Sequence, residues 1–155
     1  MAENREDGID IELFYDLNWN KPQECQDKAI KEIAKLEDLD LKCLLQPLDK
    51  EYWDNAARSI CLIGFPKIEE LMPGLFEWLK DLNWPGALRI MKLLETLPRD
   101  ILIQNLESTI RRALILDDMD WLFYLSYFID DMDLIKEEFS SQDLYMALVN
   151  TRQDN

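Results

Sequence analysis

Apolar residues recur along this chain three and four positions apart, and almost nowhere in strict alternation, so the pattern predicts helices and no convincing strand. The segment IDIELFY, Ile9 to Tyr15, reads as a short helix. In the next segment Pro22 stands at a first-turn position. Cys25, Ala29, Ile33 and Leu36 then form its apolar stripe, with Asp27–Lys31 and Lys28–Glu32 paired on the opposite face. LDLKCLLQPL predicts a short helix stopped near Pro47. A helix follows with Trp53, Ala57 and Ile60 in register and Gly64 as its C-terminal cap. Ile68, Leu71, Met72, Leu75, Phe76 and Leu79 make one stripe that Pro73-Gly74 does not dephase, which predicts a kinked helix or two short ones end to end. Ala87, Ile90, Met91 and Leu94 define a further helix ended by Pro98, and Leu102, Leu106, Ile110 and Ala113 the inward face of a longer one. DWLFYLSYFI is apolar on nearly every side, as in a helix buried between neighbours or lying beneath a partner. DLIKEEF and SQDLYMALVNTR supply a final helix or two.

Trp19, Trp53, Trp84 and Trp121 each stand just before or at the start of one of these helices, with gaps of 34, 31 and 37 residues. The word DLNW occurs at Asp16–Trp19 and again at Asp81–Trp84, and a looser DMDW at Asp118–Trp121. Trp53 and Trp84 align further, with Ala56 and Ala87 three residues on and Arg58 and Arg89 five on. A two-helix period in the thirties is the mark of an α-solenoid, in which no hairpin buries its apolar face alone. The expectation is therefore an all-α, HEAT-like solenoid of about four helical hairpins, one domain over residues 1–155 with residues 1–8 frayed. Pro73 would bend an outer helix, and Arg58 and Arg89 would bond an acid in the preceding turn (Asp54 or Asp81) or the next repeat. In the second DLNW, Asn83 suits a left-handed helix end, Pro85 opens the next helix and Gly86 permits close packing, while Trp84 fills the gap between repeats. The same Asn-Trp pair could instead present a ligand-binding surface.

Composition narrows the function. The formal charge is −15, from 32 acids against 17 bases. That sign disfavours nucleic acid and anionic membrane and favours a basic protein partner. Three cysteines without framework spacing read as reduced thiols in a cytoplasm. The polar, acidic start MAENREDGID does not read as a signal peptide, and no apolar run approaches the roughly 20 residues that span a bilayer. Histidine is absent, which removes the commonest general base and metal ligand. Cys25, Cys43 and Cys61 fall on or beside apolar stripes, where a cysteine is usually a small hydrophobe. Phosphate-binding and dinucleotide-binding glycine patterns are missing.

The acids remain. DDMD occurs at Asp117–Asp120 and at Asp130–Asp133. Such oxygens can hold Ca²⁺ or Mg²⁺, but the EF-hand glycine and distal glutamate are missing, and capping two helix starts is the simpler expectation. No cofactor or metal is expected. From Asp117 to Asp143 nine acids meet one base, Lys136, among several aromatic residues. Asp117, Asp118, Asp120, Trp121, Tyr124, Tyr127, Asp130, Asp131 and Asp133 are thus candidates for a partner-binding face of aromatic anchors and charged rim. The alternative is that the aromatics are core and the acids solvated caps.

Residues 52–94, YWDNAARSICLIGFPKIEELMPGLFEWLKDLNWPGALRIMKLL, resemble a bacterial family of small helical domains of unknown function that carries a WDNAA…LFEWLxDLNWPGA block. The resemblance implies a HEAT-like fold and a bacterial, cytoplasmic origin, and no activity. The function expected is a non-enzymatic binding module, exemplified by an immunity-type protein that neutralises a basic toxin by occlusion. A scaffold homodimer of unstated role is the second reading. A carboxylate enzyme using Arg58, Arg89, Arg111 or Arg112 comes last.

Overall fold

The computed structural model describes residues 5–6 and 9–153; the fraying expected of residues 1–8 lies, but for that first pair, outside the described residues. The described chain is helical except for one antiparallel ladder of two-residue strands, β1 (Arg5–Glu6) and β2 (Ile9–Asp10). Two residues are too few for alternation to show in a sequence, which is why no strand was expected. The first expected helix is correspondingly shorter, α1 spanning Ile11–Tyr15, because Asp10 caps it by accepting from the amides of Glu12 and Leu13. The remaining helices are α2 (Gln23–Ala34), α3 (Lys50–Ile63), α4 (Met72–Glu77), α5 (Ala87–Glu95), α6 (Arg99–Ile115), α7 (Met119–Asp131) and α8 (Gln142–Gln153). Short 3₁₀ turns lie at Leu41–Leu44, Lys67–Leu71, Trp78–Lys80 and Lys136–Glu138.

The residues group into two compact units. One takes the chain up to Leu71 together with Asn83–Ile90; the other takes Met72–Leu82 and everything from Met91.

In the first unit α2 packs along α3. Its buried stripe is Gln26, Ala29, Ile30 and Ile33, displaced from the expected one: Cys25 is half-buried and Leu36 exposed. Hydrogen bonding explains the displacement. Gln26 Nε2 donates to the carbonyls of Trp19 (3.0 Å) and Lys21 (2.7 Å), and its Oε1 accepts from Asn55 Nδ2 (2.9 Å). Asn55 Nδ2 also donates to the carbonyl of Leu17 at 2.8 Å, and Ser59 Oγ to that of Ile30 at 3.3 Å. A glutamine with every partner supplied can be buried, whatever a hydropathy pattern says. The bonds Gln26–Asn55 and Ile30–Ser59 advance by one turn on both helices, so α2 and α3 run in the same sense. Gly64 ends α3 with φ +69°, as expected of a C-terminal glycine.

The second unit is built on aromatic packing. Trp78, Phe76, Trp121 and Phe128 are all fully buried, and the rings of Phe76 and Phe128 meet edge-on at 6.0 Å. The indole N–H of Trp121 donates to the carbonyl of Phe76 at 3.0 Å. Pro73 does not bend a helix from within. It occupies the first turn of α4, where its missing N–H leaves no bond unmade. α6 buries Leu102, Leu106, Ile110 and Ala113 as its stripe predicts.

Candidate functional site

The two DLNW words do different work. In the first, Leu17 is buried, Asn18 Nδ2 donates to Glu51 Oε2 (3.0 Å), and the backbone N–H of Trp19 donates to the carbonyl of Glu51 (3.0 Å). Trp19 itself is 46% exposed. In the second, Trp84 is half-buried and meets the ring of Trp53 edge-on at 5.7 Å, while Trp53 Nε1 donates to the carbonyl of Pro47 at 3.1 Å. Asn83 is exposed and its φ is not positive; Gly86 takes the left-handed position with φ +84°, so glycine and not asparagine turns this loop. Pro85 therefore lies in the turn, and the helix begins at Ala87. Asp81, the last of these sequence-marked residues, is extended after the 3₁₀ turn Trp78–Lys80 of the second unit.

Arg58 on α3 reaches back to α2, and Arg89 on α5 reaches back past α4 to α3. Arg89 Nε donates to Asp54 Oδ1 at 2.8 Å, and Arg58 lies 4.0 Å from Asp27 and 3.5 Å from Asn55 Oδ1. Arg89 also marks Cys61, whose Sγ lies 3.7 Å from the Arg89 carbonyl. Burial pushes that thiol up, and the Arg89 charge only partly offsets it, so Cys61 is a poor nucleophile. All three cysteines are half-buried.

The acidic C-terminal region belongs to the second unit. Its two DDMD words occupy the same motif in different register. Asp117 (φ +53°) follows α6, its N–H bonded to the carbonyl of Leu114 and that of Asp118 to Ala113. Asp133 (φ +51°) follows α7, its N–H bonded to Asp130 and that of Leu134 to Ile129. Both are Schellman closures with aspartate in the left-handed place usually held by glycine. Asp118 then caps α7, accepting from the Trp121 N–H at 3.1 Å. The first word is thus a helix start, as expected. The second is a helix end, where three aspartates oppose the helix dipole and none can cap an N-terminus.

Trp121 is not a surface anchor: it is fully buried, with Lys80 4.6 Å and Arg112 5.4 Å from its ring. Tyr124 is half-buried, and Tyr127 is 45% exposed. Asp117, Asp120, Asp130, Asp131 and Asp133 are exposed, and Asp118 is half-buried. Arg152 pairs with Asp130 and lies 5.0 Å over the Tyr127 ring.

An open groove of about 450 Å³ is lined by Leu82, Met91, Tyr127, Asp130, Asp131 and Arg152. One turn beyond Met91, the carboxyl of Glu95 meets that of Asp131, and Glu95 Oε1 is shielded from solvent without a donor. Burial, then the hydrogen bond and charge of Asp131, push Glu95 up to about 7 against the pull of Lys92. Neither Glu95 nor Arg152 was singled out from the sequence. The available signal was an acid one turn after Met91, beside an otherwise apolar stripe. A second groove, of about 420 Å³, is lined by Arg99, Asp100, Ile103, Gln104, Glu107, Glu138 and Ser140. There buried Glu107 accepts from the backbone and hydroxyl of Ser140, at 2.6 and 2.5 Å, which anchors the chain just before α8. Arg99 bonds Glu138 at 2.7 Å, which holds the Glu138 carboxyl below its usual range. Among the described residues no three acids or cysteines converge as a metal would require, and no helix is long and apolar enough to cross a membrane.

With this geometry in hand, the class is an all-α protein with an acidic C-terminal face. The chain belongs to the family described as a domain of unknown function, DUF5071, whose pattern matches residues 45–154. No curated protein and no solved structure matches it.

Proposed function

We propose that this protein is a non-enzymatic binding module whose acidic C-terminal third captures a basic protein partner in a bacterial cytoplasm, in the manner of an immunity protein occluding the cationic active site of a toxin. One observation carries the reading. Of the nine acids from Asp117 to Asp143, seven are exposed, and among the described residues only Asp130 and Glu138 engage in ion pairs. Such a field attracts and orients a cationic surface and repels nucleic acid. A HEAT-like repeat is the scaffold we propose for it. Its support is the reach of the side-chain hydrogen bonds: Asn55–Gln26 and Ser59–Ile30 span 29 residues, Asn18–Glu51 33, Arg89–Asp54 35 and Arg99–Glu138 39. Bonds that skip one period of about thirty to forty residues are what stacked two-helix repeats produce.

Titration calorimetry against the product encoded beside the gene tests the reading: tight binding that weakens steeply between 50 and about 500 mM salt is expected, given a Debye length that shrinks toward a few ångströms. No binding at the low-salt end overturns it.

The Glu95–Asp131 pair favours a second reading, carboxylate catalysis, because perturbed acids beside a groove are a frequent mark of active sites. It ranks lower. Two carboxyls in hydrogen-bond contact are too close for the roughly 5–10 Å glycosidase geometries. The Glu95 oxygen shielded from solvent offers no open approach to an attacking water.

A further inference from the structure

The turn between α6 and α7 exposes an apolar surface that the fold does not need. Leu114, Ile115, Leu116 and Met119 are 43%, 83%, 59% and 47% exposed. Isolated exposed leucines need no explanation, but four large apolar side chains exposed within six positions at one turn are a concentration of apolar surface. The inward stripe of α6 ends at Ala113, so these residues lie outside it. The matching closure after α7 shows what such a turn does with apolar residues when they serve stability. There Leu134, at the position after the left-handed aspartate, is buried, as is Ile129, to which its N–H is bonded. After α6 the equivalent position is Asp118, and the neighbouring apolar side chains turn to water instead.

The rim says what covers the patch. Asp117 and Asp120 are exposed within it and Asp118 is beside them. From Ala113 to Ile135 there is no lysine or arginine and there are six aspartates. The last bases before it are engaged, Arg112 with Glu77 and Arg111 3.7 Å from Glu107. The negative end of the α6 dipole points the same way. A second copy of this chain would bring the same aspartates, and a net charge of −15, against themselves. We infer that Leu114, Ile115, Leu116 and Met119, ringed by Asp117, Asp118 and Asp120, form the docking surface for a cationic amphipathic segment of a protein partner, its leucine-like side chains on the patch and its lysines or arginines on the rim. This rests on the basic-partner reading above and locates its centre at the start of α7, away from the Tyr127 groove.

The test uses the full chain and two labelled 14-residue peptides, followed by fluorescence anisotropy. One has leucines at i, i+3, i+4 and i+7 among lysines; in the other, serine replaces every leucine. The wild-type chain should bind the leucine peptide at least about tenfold more tightly than the serine peptide. In Ile115→Ser/Leu116→Ser/Met119→Ser, with an unchanged melting temperature because all three are exposed, that advantage should vanish while the serine peptide binds as before. Asp117→Asn/Asp120→Asn should weaken both peptides and flatten their salt dependence. Equal binding of the leucine peptide by wild type and the triple-serine variant overturns this inference and leaves the basic-partner reading standing. Failure of wild type to bind either peptide at low salt overturns both. A wild-type dimer in sedimentation that the triple-serine variant dissolves makes the occupant a second copy, and the inference is then wrong.

Discussion

The two units reach stability by opposite means. At the centre of the first lies a polar network, Gln26, Asn55 and Ser59, each donating to a backbone carbonyl or to one another. At the centre of the second lie Trp78, Trp121, Phe76 and Phe128, where the Trp121 indole donates to the Phe76 carbonyl. Buried polar groups are costly to leave unpaired, so the network holds α2 and α3 in a single register; sliding either helix breaks every bond at once. Aromatic packing is less directional and contributes through area. The second unit can therefore carry a dense field of like charge on its surface, because large apolar burial offsets the repulsion. The α2–α3 contact of the first unit is made by small buried residues such as Ala29, Ala56 and Ala57.

Four sets of substitutions would break or sharpen this contrast. The largest effect is expected from Trp121→Ala, about 3–5 kcal/mol in urea unfolding, because it empties a fully buried site. Trp121→Phe, which loses mainly the bond to the Phe76 carbonyl, should cost clearly less; equal costs would mean that the hydrogen bond, and not area, holds the second unit. Asn55→Ala should cost about 2 kcal/mol by stranding the Leu17 carbonyl and the Gln26 oxygen. Combined with Gln26→Ala it should be less than additive, and strict additivity would deny the network.

The third effect depends on pH. Glu95 is held up to about 7 in the fold, above the ordinary carboxylate value of 4.5. The folded state thus binds its proton more strongly than the unfolded state does. Stability from this group is full below about 4.5 and is lost as pH rises through about 7. Glu95→Gln should therefore melt near wild type at pH 4.5 and progressively above it toward pH 8, with Asp131 then facing a neutral amide. A melting difference that does not change with pH would remove the shared-proton picture. The smallest effect is expected at Asp133→Gly, a stabilisation of about 0.5–1 kcal/mol, since glycine suits φ +51° and one charge leaves the negative end of α7. Asp117→Gly should stabilise similarly but, unlike Asp133→Gly, weaken a basic ligand at the α6–α7 patch.

Much of the helical framework is written in the sequence, because a helix is a local structure whose apolar stripe has a fixed period. The stripe Ile68, Leu71, Met72, Leu75, Phe76, Leu79 is buried throughout, as are Leu102, Leu106, Ile110 and Ala113, and Gly64 ends α3 where a glycine should. The recurrence of tryptophan is equally plain, yet the four residues meet different fates: Trp121 is fully buried, Trp53 and Trp84 pack on one another, and Trp19 stays half in water. Composition alone settled the charge and the absence of histidine.

What tertiary structure decided is everything that depends on partners distant in the chain. Gln26 is core because Trp19, Lys21 and Asn55 satisfy it, and no periodicity can announce that. The second DDMD ends a helix and does not start one, since aspartate tolerates both roles and only the neighbouring backbone bonds choose between them. Glu95 meets Asp131 across 36 residues, and Leu114, Ile115, Leu116 and Met119 stay exposed among the described residues. Helical periodicity reports which way a residue faces on its own helix; whether anything waits on that side is set by the packing of all the others.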